Sequence, residues 1–517
     1  MNHPVTLDRR ETFFTNPFLE DYYYSDKLDE FKSYSSIADI ESAIANKASF
    51  STEKREVLVS VLKEQYAEFD LSKEGSELVA KNIDLLREQN TFTVATGQQI
   101  HIGLGPMYVL YKAFDAIAIA QELKDKYPNK NFVPVFWMAT EDHDLEEIAQ
   151  VNVFGKTLEW KTDQTGAVGR MKTDGVSDLF QQILDEFNFG ETEISFLNKC
   201  KDIYASSDNL DTAFRRLLHS YVGHTGLVIL DADSAELKAL SKSLLRDEIS
   251  HANYHALEGV TAAMETAGHE RQLHIRENNL FTLAGGKRLK VDSASISDID
   301  SYVNDNYADL SPNAALRPLY QEWILPNVVY VGGGSEVKYW SQLKGLFDNY
   351  RLPMPYLHLR SSKVLLPKKL HKDLGDEGVV QMFGSEDQLR AIYAEELAEE
   401  KAYLENLYGE VINALSSYDR NVQSAFKGFS LTSKIDKIIP KLTELERLVN
   451  EQMTRKSEQN PELNKLLKVQ AKYFNRETVQ ERVEHLLTHS EILNWSAQTI
   501  HSYFGLKKSQ NIDVIFM

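Results

Sequence analysis

The sequence predicts an α/β protein built on a largely parallel sheet, followed by a long helical segment. Three observations lead there. Between about residues 92 and 384, short apolar runs alternate with amphipathic stretches at a strand–helix–strand rhythm. Two of those runs empty through glycines onto predicted helices. After Gly384 the strand-like runs stop and apolar residues recur seven apart. At 517 residues the chain exceeds the usual limit of one hydrophobic core, so two or three packed units are expected.

In chain order, residues 1–90 read as a mostly helical segment packing on the core. "SIADIESAIANK" and "STEKREVLVSVLKEQYAEF" carry three-to-four-residue apolar spacing behind a capping serine. Residues 91–384 form the α/β core. Its strands are "FTVAT", "FVPVFWMA", "GLVILDA", "NVVYVGGG" and "PMPYLHL", with a helix over Met107–Lys126. Polar, helical material at about 155–220, and further material at 235–300 with a hairpin-like texture over 270–291, reads as insertions. Residues 385–460 place Leu397, Leu404 and Val411, then Ile435, Leu442 and Val449, at heptad spacing. Leu407 and Ala414 interleave with the first seam, and Ile438, Leu445 and Gln452 with the second. A long connection between them predicts an antiparallel α-helical coiled coil, bent at Pro440. Residues 461–517 read as helices and a closing strand, "NIDVIFM".

Composition narrows the class. The formal charge is −20, which opposes nonspecific binding to nucleic acid or anionic membrane. Cys200 is the single cysteine, so no intramolecular disulfide forms and a reducing compartment fits. "MNHPVTLDRRETFF" has no apolar signal core, and no apolar run approaches the ~18 residues that span a bilayer. A cytoplasmic protein is expected.

Four stretches carry candidate chemistry. "VATGQQIHIGLGP" joins a strand to a helix through Thr96, Gly97, Gln98, Gln99 and Gly105. Unpaired N–H groups and the helix dipole favour an anion there, and glycine lets a ligand approach the backbone. No Gly-Lys-Ser/Thr follows, so it is not a Walker loop. "HIGL" is half of a His-x-Gly-His nucleotidyl-transfer signature. "FWMATEDHDLEE" sets Glu141, Asp142, His143 and Asp144 at a strand's carboxyl end, where open α/β sheets bind ligands. These groups suit a general base, an ammonium site or a divalent metal, and an acidic helix cap is the structural alternative. No second cluster has ligand spacing, so no metal is assigned. "NVVYVGGGSEVKYW" repeats the glycine turn with Gly332, Gly333, Glu336 and Tyr339, and Ser335 is the expected cap. "LHLRSS" offers Arg360 and Ser362 for a carboxylate or phosphate.

Together, "TGQQ", "GPMYVLYKA", "PVFWMATEDHDLEE", "ALRPLYQEWILPNVVYVGG", "EVKYW" and "NRETVQER" resemble the bacillithiol biosynthesis family BshC, the cysteine-adding enzymes, over most of the chain. The resemblance implies a Rossmann-like core with inserted segments, a coiled coil and a homodimer. It implies a ligase that joins L-cysteine to glucosaminyl malate through an amide bond, with an adenine-nucleotide (ATP or ADP) pocket. His143 would take the proton of the attacking amine. Glu141, Asp142 or Asp144 would hold an amine, and Arg360 with the glycine turns would hold carboxylates. The chain reads Gly-Gly-Gly-Ser-Glu at 332–336 where the family commonly has Gly-Gly-Pro-x-Glu, which loosens that turn. His101 is not a usual family position and receives no role from the resemblance. Gln480, Glu481 and Arg482 are expected to pack the C-terminal helices on the core. Two rivals stay open: a nucleotidyltransferase-like enzyme with another acyl or phosphoryl substrate, and a coiled-coil scaffold with a vestigial pocket.

Overall fold

The computed structural model describes residues 4–517 apart from 13, 72–75, 475–478 and 509. Part of the NRETVQER block therefore lies outside the described residues. Five strands build the core sheet: Thr91–Gln98, Asn131–Met138, Val228–Asp231, Asn327–Gly332 and Tyr356–Leu359. Every pairing is parallel. Numbered along the chain, their lateral order is fifth, fourth, first, second, third. That is the Rossmann order, with its topological switch between the first and fourth strands.

These strands read as continuous apolar runs because both faces are covered. Phe92, Val94, Val329 and Val331 cluster with Ala116, Ile119 and Leu123 of the helix Tyr108–Lys126. Ala95, Val133, Val135 and Tyr330 belong to the larger core that includes the inserted helices. The first insertion is a short hairpin, Gln150–Val153 with Lys156–Glu159, then helices Val176–Glu186, Glu191–Ala205 and Leu210–Val222. The second carries helices Ala235–Ala239, Lys242–Ile249 and Tyr254–Thr266. It ends in a hairpin, Leu280–Ala284 with Lys287–Lys290, extended by Leu310–Pro312.

Five strands went unread in the sequence: Val5–Asp8, Gln150–Val153, Lys156–Glu159, Leu310–Pro312 and Ser362–Leu366. Val5–Asp8 and Ser362–Leu366 sandwich the closing strand Asn511–Phe516 in a separate sheet. Short polar-flanked runs such as "VTLD" gain strand geometry only from this long-range pairing. Helices Lys368–Gln381, Glu386–Glu395 and Pro461–Tyr473 close a second core over it.

Helices Ala398–Ala425 and Thr432–Glu458 form the long hairpin, the second running on through Pro440. Asp419 accepts from the Thr432 hydroxyl at 2.5 Å and from the Leu431 N–H at 2.6 Å, fixing the reversal. Tyr408 and Thr443 hydroxyls meet at 3.0 Å. From 419 back to 408 and from 432 on to 443 are equal steps, so the helices run antiparallel. No helix among the described residues is long and apolar enough to cross a membrane.

Candidate active site

The strand order sets Gly97–Gln98 beside Gly332–Gly333 at the carboxyl edge. Between them stands Lys112, fully buried one turn into the helix that follows the first strand. Its ammonium donates to the Gly97 carbonyl, to Gln98 Oε1 at 3.0 Å and to Glu336 Oε2 at 2.7 Å. Glu336 also accepts from the Gly333 N–H and the Tyr330 hydroxyl, each at 2.8 Å. Burial alone raises its pKa, yet Lys112 and these two donors hold the carboxyl below its usual range. Tyr339 accepts from Arg317 at 3.0 Å.

Two expectations are corrected here. The helix Gly334–Gln342 is capped at Gly333 and not at Ser335, because Glu336 reaches back to the Gly333 N–H. That same bond fills the first donor of the helix start, so a phosphate there would meet a carboxylate. The residues at this turn do not fit a nucleotide phosphate as they stand. The first glycine turn also differs: the strand ends at Gln98 and the helix begins only at Tyr108. Gly103, Leu104 and Gly105 take left-handed backbone in succession. A Cβ on Gly105 would lie 2.4 Å from that of His101, so the turn needs glycine. Thr96 is buried and donates to the Val331 carbonyl at 2.9 Å, binding two strands together.

The acidic stretch splits by function. Asp144 caps the short helix Leu145–Ile148. Glu141 pairs with the buried Lys238 at 2.9 Å, and Lys238 pairs with Asp233 at 2.6 Å. Asp142 Oδ2 accepts from Gln99 at 2.8 Å while Oδ1 accepts from the His143 N–H at 2.7 Å. Burial pushes the Asp142 pKa up, but those bonds and the Arg288 charge bring the carboxyl below its usual value. His143 is exposed and lies 3.2 Å from Arg288 Nη1 through Nδ1. The adjacent glutamines stitch the edge together: Gln98 reaches Lys112 and the Tyr108 hydroxyl, and Gln99 reaches Asp142. Buried Asp231, bonded by the Thr140 hydroxyl at 2.5 Å, is pushed up to about 7 by burial and by Asp211.

Arg360 lies on the same edge but its charge is met inside the chain. Its guanidinium bonds the buried carboxylate of Glu481, and it stacks 5.5 Å from the Tyr108 ring. Ser362 donates to Glu481 at 3.0 Å and accepts from Arg9 at 2.9 Å. Gln480 bonds the Leu365 backbone on both sides. A Cβ on Gly333 would sit 3.7 Å from Arg360 Nε and 3.9 Å from Arg482 Nη2, so two guanidinium groups flank that glycine.

Lys112, Arg317, Lys238, Asp233, Asp231 and Arg288 escaped the reading of the sequence. Lys112 had a signal: a lysine inside "YVLYKAFDAIAIA", on a helix otherwise apolar. Arg288 had none, since "GGKRLK" reads as an ordinary hairpin turn. Among the described residues, no group of three or more His, Cys, Asp or Glu gathers as a metal site.

The model for "Bacillithiol biosynthesis BshC, N-terminal Rossmann-like domain" matches residues 5–361. A protein of Flavobacterium psychrophilum named "Putative cysteine ligase BshC" is 34% identical, covering 84% of this chain and 83% of its own. A Cytophaga hutchinsonii protein of the same name is 32% identical over 88% of this chain and 87% of its own. The Flavobacterium johnsoniae protein so named is 36% identical over 68% of each. Rossmann strand order, the two glycine turns and the acidic strand end all fall inside the matched span: the chain belongs to the BshC family of bacillithiol biosynthesis.

Proposed function

We propose that this protein is a ligase that joins the carboxyl group of L-cysteine to the 2-amino group of glucosaminyl malate, completing bacillithiol. Membership of the BshC family over residues 5–361 carries the reading. The amine nitrogen adds to the cysteine carboxyl carbon, its N–H proton and a carboxyl oxygen are lost, and the sum of the reaction is one amide bond formed and one water released. At the carboxyl edge Glu141 and Asp142 already pair with Lys238 and Arg288, so a substrate ammonium group would share those carboxylates with them. Of the two guanidinium groups beside Gly333, Arg360 is met by Glu481, so Arg482 is the one offered to a malate carboxylate.

The test is mass analysis of products after mixing purified protein with cysteine and glucosaminyl malate, with and without ATP. A product heavier than glucosaminyl malate by cysteine less water supports the reading; its absence in every arm sinks it. His143→Asn in a folded protein abolishes that product, and unchanged turnover removes His143 from the reaction.

The same reading includes a homodimer in the cytoplasm. Within the hairpin only part of the predicted seam faces inward, including buried Ile435 and half-buried Leu442. Leu404, Leu407, Val411, Ile438, Leu445 and Val449 stay exposed. A second copy laid along that stripe would cover it.

A further inference from the structure

We infer that Arg288 is a positioning residue that fixes the tautomer of His143, leaving its Nε2–H as an outward hydrogen-bond donor. The inference rests on the amide-forming reading for its use in catalysis, though not for its geometry. Arg288 arrives on the inserted hairpin, far from His143 in sequence, with its side chain 8% exposed. Its Nη1 lies 3.2 Å from His143 Nδ1. A guanidinium only donates, so a hydrogen bond between the two requires Nδ1 to offer its lone pair.

The arginine is held in place independently of the histidine. Nη2 donates to the Pro312 carbonyl at 3.2 Å, and the guanidinium stacks 4.3 Å from the Phe281 ring. Phe281 in turn lies 6.4 Å from the His143 ring. One competitor stands nearby: Asp142 Oδ1, 3.2 Å from Nδ1, would prefer a proton there. That oxygen already accepts the His143 backbone N–H at 2.7 Å and lies 3.7 Å from Arg288. Arg288 therefore neutralises Asp142 and takes the ring lone pair together.

The consequence reverses the role expected for His143. With Nδ1 engaged and Nε2 protonated, the neutral ring has no lone pair left to accept an amine proton. Its exposed Nε2–H suits a substrate carbonyl oxygen as that oxygen gains negative charge.

Protein labelled with ¹⁵N in its histidine rings tests this, with His143→Asn identifying the signal. Wild type should show a bare Nδ1 and a protonated Nε2. In Arg288→Met, Asp142 should draw the proton to Nδ1, while Arg288→Lys, which keeps a donor, should restore much of the wild-type pattern. In the product assay Arg288→Met should lower kcat on the order of 10²-fold with KM little changed. A wild-type Nδ1–H signal, or an Arg288→Met ring identical to wild type, overturns the inference. So does a changed tautomer with unchanged kcat. If wild-type protein makes no product, the proposed function fails while the ring signals still decide the tautomer.

Discussion

The carboxyl edge of the core sheet and the long helical hairpin spend their side chains in opposite ways. At the edge, charges are buried and matched: Lys112 with Glu336, Lys238 with Glu141 and Asp233, Arg360 with Glu481. On the hairpin, charges sit in water as local pairs, such as Arg447 with Glu444 at 2.7 Å, while large apolar side chains lie open. Buried pairs cost desolvation and return fixed geometry. Solvated pairs return little, and an open apolar stripe gains only when something covers it. The edge therefore holds its charges in fixed geometry, and the hairpin leaves apolar surface open.

Breaking the edge should have the largest effect. Lys112→Ala strips Glu336 of its cation and should cost about 3 kcal/mol, the low end for a broken buried pair. The low end applies because Glu336 keeps two other donors and its side chain is 22% exposed. Lys112→Met with Glu336→Gln should regain most of it. Denaturant midpoints decide, and a single-variant loss under 1 kcal/mol would mean the pair holds nothing.

The next effect, taken one residue at a time, is a pH dependence set by buried histidines. Burial pushes His101 and His485 down to about 4 and His358 to about 3, from an ordinary 6.5. The unfolded chain takes up these protons near 6.5 and the folded chain does not. Their stabilisation is complete above 6.5 and is lost as pH falls toward 4, roughly 2 kcal/mol each between pH 7 and 5. Asp231, at about 7, works in the other direction, adding stability as pH falls through 7. His485→Gln isolates one share: its stability should drop less than wild type between pH 7 and 5. Parallel curves would remove His485 from the account.

The smallest effect sharpens the contrast on the hairpin side. Leu445 is 58% exposed, so Leu445→Glu should change the unfolding free energy of dilute protein by no more than about 0.5 kcal/mol. Sedimentation of the same variant should show weaker self-association than wild type. Undiminished association would place the dimer contact elsewhere.

Much of this was legible in the linear chain. Parallel strands covered on both faces announce themselves as apolar runs, and a glycine between strand and helix marks a turn that side chains obstruct. Local rules also found the Ser51 cap and the antiparallel hairpin. The division of the heptad stripe was not legible: spacing tells which residues are apolar, not which of two available faces each one meets. Nor was the internal fate of Arg360, whose partner lies 121 residues away.

What the sequence determined alone was periodicity, the places of the glycine turns and the family, because each is written in neighbouring residues. Tertiary structure alone decided which charges are neutralised and which remain free to act. Arg288 meets His143 across 145 positions, and Lys112 meets Glu336 across 224. Electrostatic energy depends on distance and burial in space, and neither quantity exists until the sheet has closed.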